Sequence, residues 1–161
     1  MFFRRKKKSD AVEVKAFFQG TACPLEQVND ETIANKLLGD GVAIEPEEGT
    51  LYAPVTGTIT SIFDTKHAIG FELENGAEVL LHIGIDTVEL EGKGFDLDVS
   101  VGDKVSAGDL MGKMDVDFIR SEGKQAISPI ILTNVDDYKI EFLKTEDQVN
   151  IGEVLYKISK K

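Results

Sequence analysis

His67-Ala-Ile-Gly-Phe-Glu-Leu-Glu-Asn75-Gly76-Ala-Glu-Val-Leu-Leu-His82 reads as one β-hairpin. Asn-Gly between two alternating apolar runs is a strong hairpin signal, because both turn residues tolerate positive φ. With Asn75 and Gly76 as a two-residue turn, His67 faces Gly84 and Ile69 faces His82. The two histidines, the only ones in the chain, then become diagonal neighbours on one face, with Cβ atoms about 7–8 Å apart. In this register residues 67, 69, 71 and 73 share a face with 78, 80, 82 and 84, so Ile69, Phe71 and Leu80 flank the pair. Desolvation on such a face lowers an imidazole pKa from about 6.5. A neutral imidazole serves as nucleophile, metal ligand or hydrogen-bonding group. Two half-buried structural histidines fit the same pattern, and the hairpin alone does not choose between them.

Outward from the hairpin, short β-prone runs separated by glycine-rich turns dominate. Strands are expected at Leu51–Val55, Gly57–Phe63, Ala68–Glu74, Glu78–Ile83, Asp96–Val99, Leu110–Met114, Ser128–Thr133 and Val154–Ile158. This spacing predicts an all-β fold, a flattened antiparallel sandwich or barrel. Helical periodicity is confined to short turns at Thr32–Leu38, with Asp30 as N-cap, and at Asp115–Gly123. Val105-Ser-Ala-Gly108-Asp109-Leu110-Met111-Gly-Lys113-Met114 aligns with Val149-Asn-Ile-Gly152-Glu153-Val154-Leu155-Tyr-Lys157-Ile158. Ala53-Pro54-Val55 and Ser128-Pro129-Ile130 look like partner segments opening strands in two halves. Both matches suggest a quasi-twofold internal repeat.

The chain has 161 residues, enough for one domain with a proper core. Formal net charge is −11 despite the cationic run Arg4-Arg5-Lys6-Lys7-Lys8. An acidic body argues against nucleic acid and suits docking on basic partners. One cysteine, Cys23, permits no internal disulfide, which fits a reducing cytoplasm. No apolar stretch approaches the roughly 20 residues of a membrane span, and no apolar segment follows the basic run as a secretory signal requires. Residues 1–11 are expected to form a basic flexible tail, and residues 12–161 a single domain. Two Phe rings plus five cations give that tail the makings of a weak membrane-surface contact.

With these residues in view, the chain resembles the glucose-type IIA proteins of the bacterial phosphoenolpyruvate-dependent sugar phosphotransferase system. The resemblance runs from about Val14 to Ile158. It rests on Lys36-Leu-Leu-Gly-Asp-Gly-Val-Ala-Ile44, Ala53-Pro-Val-Thr-Gly-Thr-Ile59 and Leu80-Leu-His82-Ile-Gly-Ile-Asp86-Thr-Val-Glu-Leu90. Gly94-Phe95, Val101-Gly-Asp-Lys-Val105 and Pro129-Ile-Ile-Leu-Thr-Asn134 follow in the same order. It implies a flattened antiparallel β-sandwich that carries a phosphoryl group on His82, with His67 contacting that group and Thr65 orienting His67. It further implies that the Gly84 carbonyl holds the other nitrogen of His82, and that Asp30 and Asp86 flank the site as an acidic pair. The expected partners are the histidine phosphocarrier protein, HPr, as donor, a IIB cysteine as acceptor, and regulatory targets. Ile33, Ile69, Phe71, Leu80 and Val88 are expected to form the apolar docking rim with Asp30 and Asp86. Ile33 stands where many relatives carry an aromatic residue, and Lys66 and Gly70 also vary from some members.

Phosphoryl transfer asks a protein mainly for positioning and charge stabilisation. The resemblance therefore implies no cofactor and no required metal. Three other readings meet the same residues. His82-Ile-Gly84-Ile-Asp86 matches the His-x-Gly-x-Asp segment of lysostaphin-type zinc endopeptidases, but the His-x-His segment that supplies their third ligand is missing. A catalytic zinc normally needs three protein ligands. Adventitious zinc on His67 and His82, completed by a partner's carboxylate, is the metal reading the pair leaves open. Val101–Leu110 resembles the turn-rich part of biotinyl and lipoyl domains, although Lys113-Met114 is a poor match to their modified lysine. A regulator switched by phosphorylation would need the same His82.

Overall fold

Glycine, aspartate and asparagine at the turns cut the β-prone runs into short strands, and the computed structural model describes residues 11–161. Along the chain these are β1 (Val12–Lys15), β2 (Gly20–Pro24), β3 (Asp40–Pro46), β4 (Thr50–Tyr52), β5 (Gly57–Ile62), β6 (Ala68–Leu73) and β7 (Glu78–His82). They continue as β8 (Phe95–Leu97), β9 (Lys104–Val105), β10 (Leu110–Met114), β11 (Ser128–Leu132), β12 (Tyr138–Phe142), β13 (Gln148–Val149) and β14 (Val154–Lys160). Two short helices interrupt them, α1 (Glu31–Ala34) and α2 (Val116–Ser121). Asp30 caps α1 by accepting from the Ile33 N–H at 3.2 Å, and Asp115 caps α2 from the Phe118 N–H at 3.0 Å. Of the tail expected over residues 1–11, residues 1–10, which carry the expected membrane contact, lie outside the described residues. Among the described residues no helix is long and apolar enough to cross a membrane.

The strands form an eight-stranded sheet, β13-β2-β3-β11-β7-β6-β5-β9, and two three-stranded sheets, β1-β14-β12 and β4-β10-β8. All pairings are antiparallel. Exchanging β13, β2, β3 and β11 for β9, β5, β6 and β7 reproduces the order of the large sheet from its other end. The same exchange carries β1-β14-β12 onto β4-β10-β8. The turn hydrogen bonds repeat as well. The Gly108 N–H donates to the Ala53 carbonyl and the Ala53 N–H to the Asp109 carbonyl, while Gly152, Ala16 and Glu153 make the corresponding pair. The expected quasi-twofold repeat is therefore present. Its partner for Ala53 is Ala16, however, and not Ser128, which begins a central strand. A third copy of the turn, Ser100-Val101-Gly102-Asp103, binds Ile59 in the same way. Fixed turn chemistry, with a carboxylate accepting the N–H three residues back and glycine in the left-handed region, explains why it recurs.

Leu51, Met111, Val14, Leu155 and Ile158 of the small sheets bury themselves against Val42, Ile44, Ile59, Leu81 and Ile130 of the large one. A second apolar cluster covers part of the large sheet's other face. There Ala43 and Ile131 lie under Leu25, Val28, Ile33, Ile85 and Ile127. The sheet is thus covered completely on one side and only in part on the other.

The β6–β7 hairpin has the expected arms but a different register. The Gly76 N–H donates to the Leu73 carbonyl at 3.0 Å and the Leu73 N–H to the Ala77 carbonyl at 2.9 Å, with Gly76 at φ 85°. The loop is therefore Glu74-Asn75-Gly76, three residues ending on a left-handed glycine. Ala68 pairs with His82, Ile69 with Leu81 and Gly70 with Leu80. A slip of one residue exchanges the faces, so Ile69 and Phe71 join Val79 and Leu81 in the core instead of flanking the histidines. Asn75 holds this register. Its amide donates to the Ile158 carbonyl at 3.3 Å, and the Tyr138 hydroxyl donates to the Asn75 carbonyl at 2.8 Å.

Candidate functional site

His82 is the last residue of β7 and shares the outer face of the large sheet with Leu80, beside the apolar cap. Its Nδ1 lies 2.7 Å from the Gly84 carbonyl oxygen, a contact that needs the proton on Nδ1. The Nε2 lone pair is then left free. His67 arrives by another route. It precedes β6, opposite Ile83, whose N–H donates to the His67 carbonyl at 2.6 Å. Strand alternation would send its ring into the core with Ile83. The turn at residues 64–67, with Lys66 at φ 60°, takes the chain off the pleat and brings the ring to His82. The ring centroids are 5.2 Å apart at 68°. The expected proximity is real, although the pairing expected to cause it is not.

Thr65 Oγ1 lies 2.5 Å from His67 Nδ1, so the hydroxyl and the ring orient one another. Phe63 presses edge-on against the other side of His67, with centroids 5.2 Å apart and planes at 77°. Burial, and then the neighbouring His82, push the His67 pKa below the ordinary imidazole value. His67 is 7% exposed, with its Nδ1 on Thr65 and its ring beside that of His82. The arrangement sets a histidine held through Nδ1, with Nε2 left over, beside a second, oriented imidazole whose charged form burial disfavours. Among the described residues, no group of three or more His, Cys, Asp or Glu side chains is placed to hold a metal ion.

The surroundings divide the expected docking residues. Val88 is 48% exposed and Leu80 is half-buried. Ile33, Ile69 and Phe71 present no surface, at 2%, 0% and 1% exposure. Ile33 supports α1 from within the cap, and the other two were misplaced by the register. Phe63, not among the residues expected from the sequence, is 46% exposed and packs against His67. Its position two residues before Thr65 was the available signal. Asp30 and Asp86 flank the cap, through Ile33 on one side and Ile85 on the other. Asp86 is exposed in a left-handed turn, whereas Asp30 is half-buried and already caps α1. Beyond Leu80 a shallow depression runs over Thr60, Ser61, Gly70, Glu72 and Thr133.

The chain's sequence and fold are similar to those of several known proteins. A family model described as phosphoenolpyruvate-dependent sugar phosphotransferase system, EIIA 1, matches residues 12–138. The glucose-specific EIIA component of Staphylococcus aureus (strain Mu50) is 39% identical over 153 residues, covering 95% of this chain and 92% of that protein. The glucose-specific EIIA component of Bacillus cereus is 43% identical over 129 residues, 80% of this chain and 78% of that protein. The glucose-specific EIICBA component of Streptococcus pneumoniae is 49% identical over 127 residues, 79% of this chain but 18% of that protein. The chain thus spans about a fifth of the length of the multidomain relatives it matches. The solved structure of glucose permease IIA from Mycoplasma capricolum superposes with a TM-score of 0.87 at 38% identity, covering 98% of this chain and 99% of that one.

Proposed function

This chain belongs to the EIIA family of the phosphoenolpyruvate-dependent sugar phosphotransferase system, and on that premise we propose that it carries a phosphoryl group on His82. The observation that supports this best is the Nδ1···O contact of His82 to Gly84 with the His67 ring 5.2 Å away. Holding the proton on Nδ1 directs the Nε2 lone pair outward, as an in-line attack on phosphorus requires. As the Nε2–P bond forms, the bond from phosphorus to the donor breaks, and the donor nitrogen keeps its electron pair. When the Thr65 hydroxyl donates to His67 Nδ1, the His67 Nε2–H faces the transferring group and offsets its charge. Thr65 is thus the orienting residue of the pair.

The donor is the histidine phosphocarrier protein, HPr, and the acceptor is a cysteine of a IIB domain, with the exchange taking place in the cytoplasm. Relatives named EIICBA join the three components in one chain, which supports a IIB partner. Phe63, Leu80 and Val88 form the apolar rim for both partners, and Asp30 and Asp86 meet their basic residues.

The test is phosphate incorporation from phosphoenolpyruvate through purified Enzyme I and HPr. Acid-labile, alkali-stable label on wild type and none on His82→Ala is the expected result. Absence of label on wild type, with donors active on a control acceptor, overturns the carrier reading.

A further inference from the structure

The Gly84 carbonyl that binds His82 belongs to a turn with little freedom of its own. Gly84 sits at φ 76°, where an added Cβ would lie 2.6 Å from Thr87 Cγ2 and 2.8 Å from the Gln125 carbonyl oxygen. Both peptide groups at Gly84 are anchored. In the unit joining Gly84 to Ile85, the Ile85 N–H donates to the Gln125 carbonyl at 2.9 Å while the carbonyl accepts from His82. The unit joining Ile83 to Gly84 is held instead by two side-chain hydroxyls. The Thr87 hydroxyl donates to the Ile83 carbonyl at 2.6 Å. Ser128 Oγ accepts from the Gly84 N–H at 3.0 Å and donates to the Ala126 carbonyl at 2.9 Å. Both side chains are fully buried, and the hydrogen bonds of both hydroxyls go to backbone groups.

We propose that Ser128 and Thr87 are positioning residues for phosphoryl transfer: together they fix the Ile83–Gly84 peptide and so aim the Gly84 carbonyl at His82 Nδ1. The inference rests on the carrier reading for its functional consequence and on hydrogen-bond geometry for its mechanism. A buried N–H or carbonyl without a partner is costly. Removing either hydroxyl therefore drives the peptide to turn toward another partner. The adjoining unit keeps its own hold on the Gln125 carbonyl, but a shift of the shared Gly84 Cα pivots it about that bond and draws its carbonyl away from Nδ1. Once that carbonyl leaves Nδ1, the proton is free to move to Nε2, and the nucleophilic lone pair is lost in that tautomer. The anchors arrive from opposite directions in the chain, Thr87 from the 3₁₀ turn Thr87–Leu90 and Ser128 from the start of β11. The site histidine is in this way oriented by a strand of the other half of the fold.

The test compares wild type with Ser128→Ala, Thr87→Val and the hydroxyl-retaining Ser128→Thr. Imidazole 15N shifts of His82 in alkaline buffer, where imidazoles are neutral, report the tautomer ratio. Label transferred through Enzyme I and HPr reports the rate, and urea titration reports the fold. Ser128→Ala and Thr87→Val should each raise the Nε2–H tautomer several-fold and slow labelling about tenfold, with the final label unchanged. Ser128→Thr should restore both readouts. Folded variants with a wild-type tautomer ratio overturn the proposal, even where labelling has slowed. If Ser128→Ala does not fold, Ser128→Cys, close in size but weaker in both roles, is read by the same criteria. Absence of label on wild type would overturn the carrier reading alone, because the tautomer ratio still tests the two anchors.

Discussion

The two halves of the large sheet are built alike and finished differently. Ile131 of β11 and Leu80 of β7 are directly paired neighbours on one face of the sheet. Ile131 is fully buried under the segment that carries α1, whereas Leu80 is half-buried at the edge of a shallow open depression. On the β3–β11 side the outer face has become a second core. On the β6–β7 side no cap lies over it among the described residues, with Gly70 adding no side chain and His82 at its end. The histidine pair thus lies on the half of a symmetric sheet where the described residues form no second apolar cluster. On the proposed reading, strand pairing holds this site and the open face leaves room for another protein.

The largest test of this contrast is Ile131→Ala. It should cost about 2–5 kcal/mol of stability, as a buried large-to-small change does, measured by urea unfolding. Labelling of the surviving folded protein should be little changed. An Ile131→Ala variant as stable as wild type would break the contrast. His67→Ala comes next and works on the opposite half. Loading of phosphate should persist, while onward transfer to a IIB acceptor falls about 10²–10³-fold, the usual scale for losing one stabilising donor. Equal and total loss of both steps would contradict that division of labour. Leu80→Ala sharpens the comparison, because it changes the direct neighbour of Ile131. Stability should move by less than about 1 kcal/mol, and the second-order rate with HPr should fall by about tenfold if Leu80 lies in the contact.

Replacing Asp86 by Lys should slow docking on a basic donor and flatten the salt dependence of the rate, as stopped-flow measurements would show. The smallest effect concerns pH. Because burial holds the His67 pKa below its unfolded value, the unfolded chain takes up the proton first as pH falls. The stability attached to a neutral His67 is present above about pH 6.5 and is lost as pH falls from there through the lower, folded value. Wild type should therefore lose stability relative to His67→Gln across that window. Parallel stability curves for the two proteins would count against it.

Much of this was legible along the chain. Leu110–Met114 is a strand with the expected bounds, Asp30 caps the expected helical turn, and the repeated Gly-Asp and Gly-Glu turns mark the two halves. β3 was missed because Asp40-Gly-Val-Ala-Ile-Glu-Pro46 is buried on both faces and so lacks strand alternation. The hairpin register could have been read correctly. Ile69, Phe71 and Leu73 on one arm and Ala77, Val79, Leu81 and Ile83 on the other form a single apolar face only with a three-residue loop. Weighting the Asn-Gly rule above that alternation moved Ile69 and Phe71 to the wrong side.

The sequence by itself determined eight of the fourteen strands, the two arms of the hairpin and the family, since local alternation, turn residues and ordered motifs are properties of neighbours along the chain. Tertiary structure alone decided which of the apolar residues around the histidines face solvent. Ile33 and Val88 are both apolar as letters, yet one lies on the buried face of α1 and the other faces solvent. The meeting of His67 with His82 was decided there as well. A left-handed residue at Lys66 lifts one ring off its pleat, and beside His82 two buried hydroxyls 41 residues apart in sequence, Thr87 and Ser128, close on one peptide group. Such convergence costs chain entropy that no local pattern records, and only the packed core repays it.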